Sequence, residues 1–505
     1  VSAGRVAVFL LLAAAALPAA AQEASSLDAT RTYLKRIEAI DRAGPRLNSV
    51  IAVAPDAEAQ ARRLDDEQAK GRVRSPVHGW PVLIKDNIET VELPTTAGSL
   101  ALKDNRTRRD APVAARLRAG GIVMLGKTNL SEWANIRSSN SMSGWSAVGG
   151  LVRNPYALDR TACGSSSGTG VAIAAGLARA GVGTETDGSV ICPSAINGLV
   201  GMKPTLGLVS RTHVVPISHS QDTPGPMATS VRDAAALMAV MAGSDAADAA
   251  TREADARKGD YAARLNPAAL SGMRVGVLRP EGLSEALARQ FDAALARLRA
   301  AGAVLVEVKQ PETKGLGEAE FDVLKMELKS DLAAYLATTP PSVKVRTLAD
   351  VIAFNRANAA TEMPFFGQDI FEAAEKTGGT ADPRYKPARA KSLALATQAL
   401  DTMLAKVAVI VTPSYGAAWL SDPVHGDQVS GPSASGLPAV AGYPHLTVPM
   451  GQVMGLPVGL SFIGPKWSEQ RLFDAGAGYE AARGPLPGPR YLPSVAAGPR
   501  LEGAE

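Results

Sequence analysis

Short apolar runs alternate along this chain with segments of helical spacing, and few architectures accept that order. Trp80 to Ile84, Ile122 to Leu125, Val182 to Glu185, Met273 to Leu278, Val304 to Val308, Val407 to Val411, Leu446 to Val448 and Val458 to Ile463 read as strands. Asp28 to Arg42, Asp56 to Lys70, Ala111 to Ala119, Gly168 to Ala180, Ser284 to Ala301 and Glu469 to Ala482 read as helices. In the first of these, Thr30, Leu34, Ile37 and Ile40 recur on one face, with Asp28 placed as the cap. Met273 to Val308 reads as one strand–helix–strand unit. The expected fold class is α/β: a mixed β-sheet core flanked by helices on both faces.

At 505 residues the chain can bury a large core, and 46% hydrophobic against 20% charged residues is a globular composition. Residues 246–271 read as a surface connection. Residues 311–398 read as a mainly helical insertion that could shape a pocket, and the Pro- and Gly-rich tail after Gly484 as an extended surface path. The net charge of +4, with dispersed basic residues, implies no nucleic-acid partner.

Arg5 precedes an apolar run, Val6 to Leu17, followed by Pro18-Ala-Ala-Ala21. The run falls short of the roughly 20 residues a spanning helix needs. It reads as a signal peptide over residues 1–21, with cleavage after Ala21 and one domain over 22–505. The alternatives are an uncleaved anchor or a misassigned start. The expected location is periplasmic or secreted, with no stable membrane insertion after signal removal. Export would permit a disulfide between the two cysteines, Cys163 and Cys192, but the favoured reading is two buried free thiols packing as small apolar groups.

Two Gly/Ser loops carry the chemistry. The first, Cys163-Gly-Ser-Ser-Ser-Gly-Thr-Gly170, opens the Ala-rich helix; the second runs from Gly183 to Pro193 through Thr-Glu-Thr-Asp-Gly-Ser189. Successive backbone N–H groups at a helix start can hold an oxyanion or a phosphate. Neither loop has the spacing of a Walker or dinucleotide motif. Two tight turns with no chemistry remain open. So does a nucleophile elbow at Gly164-Ser-Ser166-Ser-Gly168, which would need a preceding strand and a downstream histidine: His213, His219, His425 or His445.

At these residues the sequence resembles the amidase signature family, and within it the bacterial peptide amidases. The resemblance runs in order through Gly79-Trp-Pro-Val-Leu-Ile-Lys85-Asp-Asn, Leu125-Gly-Lys-Thr-Asn-Leu-Ser-Glu-Trp133, the two serine loops, Asn197-Gly-Leu-Val-Gly-Met-Lys-Pro-Thr205, Asp222-Thr-Pro-Gly-Pro-Met227 and Ala441-Gly-Tyr-Pro-His-Leu-Thr-Val-Pro-Met-Gly451. It implies catalytic groups at Lys85, Ser165 and Ser189, an amide-hydrolysing activity, and a cis peptide bond between Gly164 and Ser165. Asp187-Gly188 and Ile191 depart from the wider family, which has Gly-Gly before the nucleophile and Arg two places after it. Both departures are similar to the peptide amidase subgroup.

The chemistry suits those residue types. A serine hydroxyl needs a base, and a lysine serves only when burial lowers its pKa from about 10.4. The resemblance implies that neutral Lys85 takes the Ser165 proton while Ser165 takes that of Ser189. Ser189 then attacks the amide carbonyl. The backbone N–H groups of Thr186, Asp187, Gly188 and Ser189 would hold the oxyanion, and the acyl-enzyme is released by water. No metal or cofactor is implied. Lys127 and Lys203 are alternative bases, and Glu185 and Asp187 are read as fixing the loop by hydrogen bonds. The expected substrate is a small-molecule or short peptide amide, deamidated at a C-terminal amide. Aryl amide, carbamate or ester hydrolysis on the same scaffold is the alternative, suggested by Trp133, Trp145, Phe365 and Phe366. A non-catalytic binding protein is the distant one. A role on transfer RNA conflicts with the export signal and the weak basic balance.

Overall fold

The computed structural model describes residues 25–495, so the signal-peptide reading falls outside the described residues. Thirteen strands are present among them. In chain order they are β1 Val50–Val53, β2 Pro81–Lys85, β3 Val123–Thr128, β4 Trp145–Ser146, β5 Gly150–Leu151, β6 Ala180–Glu185, β7 Val200–Lys203, β8 Thr223–Ala228, β9 Arg274–Leu278, β10 Val304–Val308, β11 Val409–Pro413, β12 His445–Val453 and β13 Leu456–Ile463. Eleven of them form one mixed sheet in the order β1-β3-β2-β6-β8-β7-β12-β13-β11-β9-β10, and β4 pairs only with β5. Strands β3, β2 and β6 run parallel, as do β11, β9 and β10; antiparallel neighbours separate the two groups.

Helices cover both faces. One core packs Val82, Ile84, Val275, Val458 and Phe462 of the sheet against the helices Val231–Met241, Glu285–Ala300 and Glu469–Arg483. The opposite core packs Leu83, Val123 and Leu125 against the helices Ser26–Arg36, Ala57–Ala69 and Ser167–Ala174. Adjacent residues of β2 thus feed opposite cores, as the period-two pleat requires. Each fully buried Leu, Ile or Phe contributes about 1.5–3 kcal/mol relative to exposure. A third core, with Leu328, Leu332, Val351 and Phe371, lies among the helices Leu316–Leu336, Leu348–Ala357 and Asp369–Glu375 and reaches Trp133.

Three differences from the sequence reading have local causes. Ser25, rather than Asp28, caps the first helix, its hydroxyl accepting the Asp28 amide at 3.1 Å. The Ala-rich helix covers only Ser167–Ala174, because Ala180 already pairs in β6. Strand β8 was hidden by its two prolines. The free-thiol reading is corrected as well: Cys163 and Cys192 are joined, their Cα atoms 6.0 Å apart. The short helix Ile191–Ile196 lies against the first loop and brings the two within bridging distance.

Candidate active site

Strand β2 ends in Lys85, whose side chain is fully buried below the two loops. Its Nζ lies 2.7 Å from Ser165 Oγ, 2.9 Å from Thr184 Oγ1 and 3.2 Å from the Thr184 carbonyl. A neutral amine has two N–H groups and a lone pair. With the N–H groups directed to the two Thr184 oxygens, the lone pair is left for the Ser165 hydroxyl. Burial lowers Lys85 to about 7, against the opposing pull of the Asp222 and Glu185 charges.

Ser165 follows a cis Gly164–Ser165 peptide bond, and its carbonyl accepts the Ser131 amide at 3.0 Å. The helix that follows starts at Ser167 and needs small residues. A Cβ on Gly168 would stand 2.4 Å from the carbonyl oxygens of both Asn129 and Ser49. Close approach of three backbone segments therefore sets the depth of the serine loop.

Ser189 sits on the second loop, 8% exposed, between β6 and the helix Ile191–Ile196. Its hydroxyl has no hydrogen-bond partner among the described residues, and its carbonyl accepts the Ser166 amide at 3.1 Å. The structure therefore brings Lys85 and Ser165 into direct contact and leaves the Ser189 hydroxyl free. The amides of Asp187, Gly188 and Ser189 have no acceptor among the described residues, whereas Glu185 Oε2 takes those of Val190 and Ile191 at 2.8 and 2.9 Å. Gly188 has φ of 78°, which turns the loop back on itself. Thr186 Oγ1 donates to Asp222 Oδ1 at 2.6 Å.

Of the rival groups, Ser166, His219, His425, His445, Lys127 and Lys203 are occupied elsewhere. Ser166 Oγ is tied to the Thr184 carbonyl and amide at 3.1 and 3.2 Å. His445 is buried and bonded to Ser461 Oγ at 2.6 Å, and burial lowers it to about 3. His219 bonds Asp331 and Tyr385, and His425 bonds Asp422. Lys127 pairs with Asp86 at 2.8 Å, and Lys203 donates to the Pro204 carbonyl at 3.0 Å. Donor atoms of His219, Glu327 and Asp331 lie within 4.8 Å of one another, a spacing that could hold a metal ion. All three side chains are engaged in hydrogen bonds, Glu327 with Ser220 Oγ at 2.9 Å and Tyr385 at 2.6 Å. Trp133 packs edge-on to Phe371, and Trp145 edge-on to Phe365 and Phe366.

Sequence reasoning assigned no role to Thr184 or Asp222. Both lie inside motifs that carried the resemblance, so the signal was present. Only the fold shows that Thr184 faces Lys85 and that Asp222 faces Thr186.

The Amidase family model matches residues 28–473. This chain belongs to the amidase family. It is 38% identical over 460 residues to a probable amidase of Arabidopsis thaliana, covering 88% of this chain and 85% of that one. It is 36% identical over 493 residues to a glutamyl-tRNA(Gln) amidotransferase polypeptide of Mycobacterium ulcerans, covering 93% and 96%. The native peptide amidase of Stenotrophomonas maltophilia superposes with a TM-score of 0.89 at 48% identity, covering 93% of this chain and 96% of that one. A peptide amidase of the same similarity is known in complex with the competitive inhibitor chymostatin. The chain is accordingly an amidase with the family's mixed-sheet fold.

Proposed function

We propose that this amidase hydrolyses C-terminal peptide amides through an acyl-enzyme on Ser189. The observation that carries the reading is the buried Lys85–Ser165 contact at 2.7 Å, with Lys85 lowered to about 7 by burial. Near neutral pH the amine takes the Ser165 proton as Ser165 takes that of Ser189. The Ser189 oxygen attacks the carbonyl carbon, and the amides at 187–189 stabilise the oxyanion; losing one such donor costs about 100- to 1,000-fold. The relay returns the proton to the leaving nitrogen, ammonia departs, and water releases the acid by the reverse route.

A cleft supports a peptidic acyl group. A cavity of about 730 Å³ lies beyond the C-terminal ends of β9 and β10, lined by Leu316, Met403, Leu437, Ser433, Gly436 and Glu320. One lining residue, Gly436, neighbours the second loop: a Cβ there would stand 3.7 Å from Asp187 Oδ2. Burial raises Glu320 to about 8, and the charge of Asp187 pushes it the same way. The cleft sets apolar walls, Leu316, Met403 and Leu437, beside the ionisable groups Glu320, Arg279 and Lys309, so it offers contacts to both the apolar and the polar parts of a peptide.

The test is ammonia release from a C-terminally amidated dipeptide by wild type, Ser189→Ala and Ser166→Ala. Loss with Ser189→Ala alone supports the reading. Loss with Ser166→Ala alone replaces it with the elbow. No ammonia from wild type moves the substrate to aryl amides, carbamates or esters. We also propose export to the periplasm or medium, from the Val6–Leu17 run and the bonded cysteines. Among the described residues no helix is long and apolar enough to cross a membrane. Amino-terminal sequencing of the exported protein checks for Gln22.

A further inference from the structure

The segments that carry the two serines are joined at several points besides the Ser166–Thr184 bonds. Asn197 Nδ2 donates to the Ala162 carbonyl at 3.0 Å, Cys163 is bonded to Cys192, and the Ser166 amide donates to the Ser189 carbonyl at 3.1 Å. The middle tie is covalent. It leaves the first loop two residues before Ser165 and enters the second segment three residues after Ser189. Each cysteine is also fixed to its own loop. The Cys163 amide donates to Thr161 Oγ1 at 2.9 Å, and the Cys192 amide to the Gly188 carbonyl at 2.8 Å. Both side chains are buried, at 6% and 1% exposure, against Ile191, Tyr415 and Trp419.

We propose that the Cys163–Cys192 disulfide positions Ser165 relative to Ser189, so that the disulfide form turns over faster than the dithiol form of the same chain. The inference rests on the reading of Ser189 as nucleophile. Proton transfer between two hydroxyls needs them within about 2.6–3.2 Å. Because Ser189 Oγ has no hydrogen-bond partner among the described residues, where its loop is held decides whether it reaches Ser165, and a misplacement of about 1 Å can cost about 100-fold. The flanking hydrogen bonds open and close thermally. The S–S bond does not, and it holds the Cα atoms of the two loops 6.0 Å apart. Because each cysteine is anchored beside a reacting serine, slack between the sulfurs becomes slack between the hydroxyls. The cysteines touch no reacting atom; they act through Ser165 and Ser189.

The test uses the full chain isolated as the dithiol and then oxidised with glutathione disulfide. The protein thiols lose two protons and two electrons as the S–S bond forms, and one glutathione disulfide is reduced to two glutathione thiols. Both forms are assayed for kcat and KM on the peptide amide and for the rate of serine labelling by a fluorophosphonate. The expected result is a kcat and a labelling rate at least about 10-fold higher in the disulfide form, with KM changed less than about twofold. Oxidation restores the dithiol chain. Cys163→Ala/Cys192→Ala behaves as the dithiol and ignores glutathione disulfide; if that variant does not fold, the dithiol form of the native chain carries the test alone. Equal kcat in both forms overturns the proposal. So does a dithiol form that has lost its circular dichroism at the assay temperature, since the bond is then needed for folding rather than for positioning. Labelling that persists in Ser189→Ala overturns the nucleophile reading instead and is scored separately.

Discussion

Lys85 Nζ and Ser165 Oγ are 2.7 Å apart, both fully buried, on residues eighty positions apart in the chain. The end of β2 and the start of the helix Ser167–Ala174 meet there because Gly168 lets that helix sink against Asn129 and Ser49. If the contact is the proton relay, deleting either partner removes the base without removing the nucleophile. Lys85→Ala and Ser165→Ala are each expected to lower kcat by at least about 100-fold, the lower range for general-base catalysis. Steady-state kinetics with circular dichroism on the same samples checks this. A folded Lys85→Ala with wild-type turnover would refute the relay.

The relay also sets a pH dependence. In the proposed relay Lys85 acts when neutral, so activity would be lost as it gains a proton, and kcat/KM is expected to fall below about pH 7. The negative charge of Asp222 opposes that loss of proton affinity. Asp222→Asn removes the charge and is expected to move the acid limb to lower pH. The pH–rate profiles of the two proteins decide it, and a limb that moves upward contradicts the assignment.

Stability should carry the same signature with a definite sign. In the folded chain Lys85 titrates at about 7, and in the unfolded chain near 10.4. Between those values the unfolded state binds the extra proton, so raising the pH favours the folded state. Below about 7 both states are protonated and the burial penalty is complete. Lys85→Met has no such group. Denaturant melts of the two proteins are expected to show the wild type gaining on Lys85→Met from pH 7 to 10, by up to about 1.4 kcal/mol per pH unit. A constant difference across that range would mean that Lys85 is not depressed.

The alternation of runs was legible because buried strands leave near-continuous apolar sequence. The unit from Arg274 to Val308 was read almost to the residue. Strand β8, Thr-Pro-Gly-Pro-Met-Ala, was not, since proline ordinarily argues against a central strand. At the site, Lys85 could be singled out by its apolar lead-in and by resemblance, but lysine alone is usually exposed. Its burial is a property of the tertiary fold. Thr184 and Asp222 show the same limit, because a threonine or an aspartate gains a role only from what faces it. The disulfide was the less favoured reading for a different reason. Two cysteines 29 residues apart fix no distance until the helix Ile191–Ile196 is laid on the first loop.

The second loop offers a test independent of titration. Gly188 has φ of 78°, and a Cβ there would stand 2.1 Å from Tyr415 Oη and 2.9 Å from Ser435 Oγ. Those two hydroxyls are hydrogen-bonded to each other at 2.6 Å, so the clash falls on a buried polar pair. Gly188→Ala therefore meets two separate penalties. The left-handed backbone costs an alanine about 1 kcal/mol, and the overlap forces the loop or Tyr415 to move. Only the second depends on the hydroxyl. In a double-mutant cycle, Gly188→Ala is expected to cost about 1–2 kcal/mol less stability in a Tyr415→Phe background than in wild type. Activity should recover less than stability, because the amides at 187–189 are displaced by the backbone change in either background. Chemical melts and kcat for the four proteins read both effects. Strict additivity in the melts would show that the loop relaxes away from Tyr415 without resistance, and the open amides at 187–189 would then owe nothing to that contact.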